Sequence, residues 1–150
     1  MRTTLTSLKE LFLRDLDLLT KEISLYPSEE LLWVIKGDIK NSAGNLCLHL
    51  CGNLQHFVGT TLGNTGYVRN REAEFADRNI PKEKLLAEIE ATKVAISSTL
   101  SNMKDSKLDE EYPIQVFGKP MTAEFFLIHL SGHLTYHRGQ INYHRRILAS

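Results

Sequence analysis

The sequence predicts an all-α protein, a four-helix bundle formed by a single domain over residues 1–150. Three observations support this fold class. Four long segments carry apolar residues at helical spacing, the chain shows no repeat and no alternation of strands with helices, and its length is that of one ordinary domain. A chain of this size buries about two-thirds of its extended surface on folding, so its stability requires neither disulfides nor a metal.

The first two helices are bounded by recognisable end signals. The first is predicted over about 5–26 and stops at Pro27, after which residues 28–30 are typical of a cap that opens a short helical turn. The second is predicted over about 41–62, because polar residues at its start suit a helix N-terminus. We expect it to end at Gly63 in the left-handed conformation.

The third and fourth helices follow two longer connections. The third is predicted from Pro81, a residue favoured in the first turn, to about Met103. The fourth runs from about Thr122 to Leu148, and residues 112–118 before it are predicted to be extended with a turn. The connection between the second and third helices is longer than the usual ~2–8 residues, which allows these two helices to run parallel.

Composition excludes several functional classes. Lysine plus arginine and aspartate plus glutamate both number 18, and with no basic run we expect no nucleic-acid partner. Cys47 and Cys51 lie four apart in an apolar run, where a structural disulfide is not expected, so a reducing, cytoplasmic location is favoured. No signal-peptide core and no apolar stretch of about 18 residues is present, so we expect no membrane partner.

All six histidines fall in the second and fourth predicted helices: His49, His56, His129, His133, His137 and His144. At about 100° per residue, the four in the fourth helix share an arc of roughly 80° with Phe126 and Leu130, so this arc faces the core. His49 lies on the corresponding apolar face of the second helix. The histidines are therefore predicted to point inward.

A single histidine on an apolar face is usually a satisfied core residue, but several opposed ones are harder to accommodate. Burying that many imidazoles without partners costs several kcal/mol, on the order of 1–3 for each unsatisfied group. A shared cation removes this cost, and neutral imidazole is a common ligand for zinc-like ions. These helices therefore predict a metal site.

Depth along the helices narrows the choice of ligands without settling it. His49 lies roughly 12 Å from the start of its helix. In an antiparallel pair the C-terminal end of the fourth helix lies beside that start, and His137 and His133 lie roughly 16 and 22 Å from this end. Spacing alone leaves His129 or His144 as alternative ligands. His56, about two turns deeper than His49, is predicted to miss the site.

Three segments carry a resemblance to a known family. Residues 45–53 (NLCLHLCGN) and 133–140 (HLTYHRGQ) look like the metal-site motifs of the DinB-like (DinB/YfiT) metalloenzyme family. Residues 66–75 (GYVRNREAEF) resemble a loop found in one subfamily of unknown function. The resemblance covers nearly the whole chain, and the combination of motifs is more specific than any one of them.

The resemblance implies an up-down-down-up bundle, often a homodimer, with a divalent metal held by one histidine of the second helix and an HxxxH pair of the fourth. Those positions match His49, His133 and His137 here. Some relatives transfer low-molecular-weight thiols such as bacillithiol, mycothiol or glutathione, while many have no known reaction. This chain departs from the pattern in its extra histidines, His129 and His144.

Three neutral ligands leave a divalent ion its full charge and at least one open position, which favours a reactive site over a closed structural one. Zinc, nickel and iron all suit three nitrogens. No carboxylate lies within the histidine arcs, which favours activation of a thiol over hydrolysis, although Asp15 or Asp17 could supply one. We predict a metal-dependent thiol S-transferase acting on a small thiol and an electrophile; the alternative is a non-catalytic metal-binding or dimerising bundle.

Five further residues are candidates for the surroundings of the site, and none is assigned a catalytic role. Asn53, Tyr136 and Gln140 lie near the ligand faces, where they could orient a substrate or the ligands, or merely cap buried groups. Arg69 and Arg71 lie on a loop that could cover the site and bind an anionic substrate. As plain surface ion pairs they would contribute little.

Overall fold

The computed structural model describes residues 2–148, and helices make up most of this range. No strand occurs within it; one isolated antiparallel bridge joins Glu111 to Thr122, which lie on either side of the segment 112–118 predicted to be extended. The helices are α1 (Thr4–Leu25), α2 (Ala43–Leu54), α3 (Thr61–Gly63), α4 (Arg71–Ala76), α5 (Lys82–Asn102) and α6 (Ala123–Leu148). The predicted all-α class is confirmed, with the four long helices close to their predicted bounds.

Side-chain pairs between the long helices define the topology. Helix α1 runs antiparallel to α5, because its early residue Lys9 bonds Ser101 at 2.7 Å while its later residue Asp17 pairs with Lys93 at 2.6 Å. Helix α1 runs parallel to α6, because the hydrogen bonds between the two helices join residues about 120 positions apart both midway along α1 and near its end. Helix α2 runs antiparallel to α6 and parallel to α5. The order is therefore up-down-down-up.

The second predicted helix is longer and less regular than a single α-helix. Helix α2 continues without interruption through a π-helical segment, Gln55–Thr60, into α3. The expectation that Gly63 adopts the left-handed conformation is wrong: Asn64 does so, with φ 51°. Gly63 is instead needed for space, since a Cβ there would lie 2.1 Å from the Thr99 hydroxyl oxygen on α5.

The start of α2 is fixed by a cap and by an aromatic contact. The Ser42 hydroxyl accepts the backbone N–H of Asn45 at 3.2 Å. The buried ring of Trp33 lies against Gly44, where a Cβ would come within 2.6 Å of it. These contacts set the height of α2 in the bundle and hence the position of His49, two turns along the helix.

The long connection between α2 and α5 is ordered and contains α4, which was not predicted. Asn70 caps α4 by accepting the N–H of Ala73 at 3.1 Å. The Asn45 amide on α2 donates to the carbonyl oxygens of Glu74 and Asp77, each at 2.9 Å. Helix α4 is thereby fastened to α2 beside His49.

Both cysteines are free and buried in α2, as predicted. A hydrogen bond with Cys51, together with burial, raises the pKa of the Cys47 thiol. Within residues 2–148, no helix combines the length and the apolar character that crossing a membrane requires.

Candidate metal centre

His49, His133 and His137, here called the histidine triad, converge at the interface of α2 and α6. One ring nitrogen from each lies within 4.8 Å of the other two. The Nε2 atoms of His49 and His133 are 3.2 Å apart. His137 stands edge-on to both neighbouring rings, with ring centroids 5.4 Å from His49 and 4.5 Å from His133. Antiparallel packing thus brings together residues more than 80 positions apart.

The orientation of His49 is set from its other nitrogen. Its Nδ1 lies 3.1 Å from Oε1 of Glu74, which is buried. Burial acts to raise the pKa of Glu74, but hydrogen bonds from His49 and Arg69 outweigh it and hold the pKa below its usual value. An ionised carboxylate can only accept, so His49 Nδ1 carries the proton and its Nε2 presents a lone pair to the triad.

His137 is oriented in the same way by Gln140. Its Nδ1–H donates to Oε1 of Gln140 at 2.7 Å, and the Gln140 amide donates to the Tyr136 hydroxyl at 3.2 Å. Nε2 of His137 is then the free acceptor. Burial lowers the pKa of His137, and the neighbouring His49 adds to this effect, so the imidazole is neutral near pH 7.

His133 is the triad member with the fewest partners. Burial lowers its pKa to about 3, with further contributions from the nearby His137 and His49. Its Nδ1 is buried, and no group in the described chain hydrogen-bonds to it. Burial thus keeps His133 and His137 neutral, and their rings converge with that of His49 on one point, an arrangement that fits a shared cation.

The remaining histidines do not join the triad. His144 is buried, but its two nitrogens bond Tyr26 and the Val34 carbonyl oxygen. His129 is exposed and packs on Phe117, so the expectation that every histidine points inward is wrong for this residue. His56 is half-buried and packs on its neighbour Phe57.

The five other candidate residues differ in how closely they approach the triad. Gln140 bonds His137 directly, and Tyr136 reaches it only through Gln140. Arg69 donates to both oxygens of Glu74, at 2.8 and 2.9 Å. Arg71 is exposed and lies over the Phe75 ring. Asn53 is buried, with its Oδ1 unpaired within residues 2–148.

Sequence reasoning missed the role of Glu74 and of the glycine that makes room for it. Glu74 follows the Asn70 cap by four residues, and asparagine as a helix cap is the local signal that could have revealed the short helix carrying Glu74. A Cβ on Gly52 would lie 1.9 Å from Oε2 of Glu74. Nothing in the sequence indicates that these two residues, 22 positions apart, are in contact.

The two carboxylates considered on the first helix are engaged elsewhere. Asp15 is fully buried, accepts a hydrogen bond from Thr135 and pairs with Arg14. Asp17 pairs with Lys93 on α5. Glu74 does reach the triad, but on the Nδ1 side of His49 and not on the side where the three rings converge.

A cleft of about 580 Å³ opens beside His137. Its walls come from the loop before α2, from α2 itself and from the C-terminal half of α6. Aliphatic, aromatic and charged side chains line it, among them Ile39, Lys40, Leu46, Tyr136, Tyr143 and Ile147. A cleft of this size accommodates a small molecule, since ligand pockets range over about 300–1,000 Å³.

Comparison with known proteins gives a family and a fold. The family model described as "Protein of unknown function (DUF1572)" matches residues 1–150. The chain is similar to the crystal structure of a DinB-like protein from Bacillus cereus ATCC 10987, with a TM-score of 0.67 and 20% identity over 90% of this chain and 89% of that chain. No curated protein matches. The resemblance to DinB-like proteins is confirmed in the fold.

Proposed function

The chain belongs to the DUF1572 family of proteins of unknown function, and we propose that it binds one divalent metal ion through His49, His133 and His137. The observation that carries this proposal is the convergence of three imidazoles, with Glu74 and Gln140 holding the Nδ1–H of two of them. The Nε2 atoms of His49 and His133 are only 3.2 Å apart, so a cation bound here can be shared by imidazole nitrogens of both helices.

The ligand set favours a reactive site over a structural one. Because all three ligands are neutral, a bound divalent ion would act as a Lewis acid with an open position, able to hold a thiol as its thiolate. Zinc and nickel are the ions we expect first, with iron as a further candidate.

The positions of the carboxylates around the triad favour thiol transfer over hydrolysis, because none of those in the described part of the chain lies on the open side of the proposed metal. Hydrolysis profits from a carboxylate base on the open side of the metal, as in HExxH enzymes. Glu74 is held on the opposite side of His49 by two hydrogen bonds from Arg69, and Asp15 and Asp17 have partners of their own. We therefore propose a metal-dependent S-transferase that joins a small thiol to an electrophile.

The cleft beside His137 supports a small second substrate. Apolar and aromatic walls suit the body of an electrophile, and Lys40 at its rim suits an anionic group of a thiol. In the transfer, the thiol sulfur forms a bond to the electrophilic carbon, the leaving group departs with its electron pair, and the thiol proton passes to solvent. Side chains of the cleft would orient both partners and exclude water.

Two wider expectations complete the proposal. The two free, buried cysteines suit a reducing compartment, so we place the activity in the cytoplasm. For the homodimer we expect the exposed apolar face of α6 to be buried between subunits. Its members outside the cleft are Phe125 and Ile128.

The first test is metal analysis of protein purified without a histidine tag. About one divalent ion per chain is expected, and a clearly sub-stoichiometric content after incubation with zinc or nickel would overturn the metal proposal.

The second test measures consumption of monochlorobimane with bacillithiol, mycothiol or glutathione. We expect metal-dependent turnover, abolished by His137→Ala in a folded protein. Bound metal without turnover would favour the non-catalytic alternative.

A further inference from the structure

We infer that Glu74 is a positioning residue for the proposed metal site: its carboxylate fixes His49 as the Nδ1–H tautomer and so directs Nε2 at the metal. The inference rests on the proposed function, because a tautomer matters here only if Nε2 is a ligand. It assigns to the loop between α2 and α5 a role in metal affinity that the triad residues alone do not reveal.

The hydrogen bonds of Glu74 leave it little freedom. Oε1 accepts from His49 Nδ1 at 3.1 Å and from Arg69 at 2.9 Å, while Oε2 accepts from Arg69 at 2.8 Å. The carboxylate is thus held in a bidentate pair with a guanidinium, the geometry that best fixes a carboxylate plane. All three side chains are at most 12% exposed. Partners of metal-bound histidines have this chemistry.

Gly52 provides a second, independent observation. It lies within α2, where glycine costs roughly 0.5–1 kcal/mol relative to alanine. A Cβ at this position would lie 1.9 Å from Oε2 and 2.6 Å from Cδ of Glu74. Helix α2 therefore has no side chain at the position beside which the Glu74 carboxylate lies.

Helix α4 is built to hold the carboxylate at that place. The Asn45 amide donates to the carbonyl oxygens of Glu74, within α4, and of Asp77, directly after it. Phe75, the next residue after Glu74, packs its ring on His49 with the centroids 4.9 Å apart. Both the hydrogen bond and the ring contact that orient His49 thus come from consecutive residues of α4.

An alternative is that Arg69 and Glu74 form an ion pair that only fastens the loop. The two readings differ in what Glu74→Gln changes. A purely structural pair affects the free energy of unfolding of the metal-free protein, whereas a positioning residue also changes metal affinity in a protein that remains folded.

The decisive experiment measures zinc affinity by competition with a chromophoric chelator. The variants are the wild type, Glu74→Gln, and the control Glu72→Gln, which removes the same charge from an exposed residue of α4. A glutamine has one acceptor oxygen where Arg69 and His49 need two, so we expect Glu74→Gln to weaken zinc binding by about 10–100-fold. Glu72→Gln should bind as the wild type does.

A spectroscopic measurement keeps the test independent of folding losses. Long-range ¹H–¹⁵N NMR of the zinc-loaded wild type should show His49 as the Nδ1–H tautomer.

Gly52→Ala should weaken zinc binding like Glu74→Gln, because its Cβ displaces the Glu74 carboxylate. In a Glu74→Ala background the same change should have little further effect, since nothing then remains to be displaced.

The outcomes separate the two levels of the argument. If the wild type binds neither zinc nor nickel, both the proposed function and this inference are overturned. If the wild type binds zinc and Glu74→Gln binds it equally well, or if His49 carries its proton on Nε2, only the inference is overturned. Weaker binding in Glu74→Gln and Gly52→Ala, with Glu72→Gln unchanged, supports it.

Discussion

Helix α6 carries two buried histidine environments that look alike in sequence and differ in chemistry. Near its C-terminus His144 bonds Tyr26 and Val34, an arrangement we call the Tyr26–His144 cluster. Two to three turns earlier, His133 and His137 meet His49 in the histidine triad. Both environments are set into the core, and both use a histidine from the same stripe.

The difference lies in where the ring nitrogens point. In the Tyr26–His144 cluster, Nε2–H donates to the Val34 carbonyl at 2.8 Å, and Nδ1 accepts the Tyr26 hydroxyl at 2.5 Å. Burial raises the pKa of Tyr26 above its usual value, so the phenol keeps its proton and remains a donor. Every polar atom of the His144 ring has a protein partner.

The triad leaves its inner nitrogens facing one another. Glu74 and Gln140 take the outer Nδ1–H groups of His49 and His137, so the inner Nε2 atoms of these two rings are acceptors that converge beside His133. The comparison teaches that burial alone does not identify a ligand histidine. The informative feature is convergence of acceptors whose opposite sides are already bonded.

The largest expected effect is on metal binding. Structural zinc sites release about 10–16 kcal/mol over four ligands, so removal of one ligand by His133→Leu should cost roughly 3–4 kcal/mol, or about 100- to 1,000-fold in zinc affinity. His144→Leu should retain one ion per chain. Chelator competition on tag-free protein measures both.

The comparison between the two environments fails if the two variants lose metal to the same degree. In that case His144 would contribute to the site, directly or through α6, in spite of its protein partners. Circular dichroism of each variant, recorded before metal is added, excludes unfolding as the cause.

The second effect is on the stability of the metal-free protein, where we expect His144→Leu to cost more than His133→Leu. His144→Leu leaves the Val34 carbonyl without its partner and the Tyr26 hydroxyl with only its 3.3 Å bond to the Ile141 carbonyl oxygen, so we expect a loss of about 2 kcal/mol in the free energy of unfolding. His133→Leu removes a buried imidazole whose Nδ1 has no partner in the described chain, so its loss should be under ~1 kcal/mol. Urea denaturation with chelator present measures both; equal losses would contradict the distinction.

A third effect depends on pH and concerns Glu22, which lies one turn before Tyr26. Burial acts to raise the pKa of Glu22, but hydrogen bonds from Arg145 and Asn142 outweigh it and hold the pKa below the usual value. A lowered carboxyl pKa stabilises the fold above the unfolded-state pKa of about 4.3 and ceases to do so as pH falls through the folded-state value.

Glu22→Gln should therefore cost about 2 kcal/mol at pH 7, and the difference from the wild type should shrink below about pH 4. The measurement is the free energy of unfolding from pH 3 to 7, with the exposed Glu10→Gln as the control. A difference that stays constant with pH would mean that Glu22 acts through packing and not through its charge.

The fold was predictable because its signals are local. Apolar spacing and end residues such as Pro27 and Pro81 define the long helices within a few residues. The left-handed cap at Asn64 escaped prediction because Gly63 is the better cap by intrinsic preference, and its actual use depends on Thr99 of a different helix. Local propensity cannot register such a contact.

The candidate site was predictable only in part. Helical spacing brought His49, His133 and His137 to inward faces, but it placed His129 there too, and the choice between them came from the family resemblance. Glu74 escaped because its relevance depends on the folding of the crossover loop back onto α2. Long-range contacts of this kind are not encoded in spacing along one helix.

The smallest expected effect concerns the outer contact of His137. Gln140 is exposed, so the loss of its hydrogen bond is partly replaced by water, and Gln140→Ala should weaken zinc binding by about 10-fold, the low end for partners of ligand histidines. Gln140→Glu keeps an acceptor for His137 Nδ1–H and should bind zinc at least as tightly as the wild type. Chelator competition distinguishes the two variants. Unchanged affinity in Gln140→Ala would mean that α6 alone orients His137, and that the triad differs from the Tyr26–His144 cluster in its inner nitrogens and not in how its rings are held.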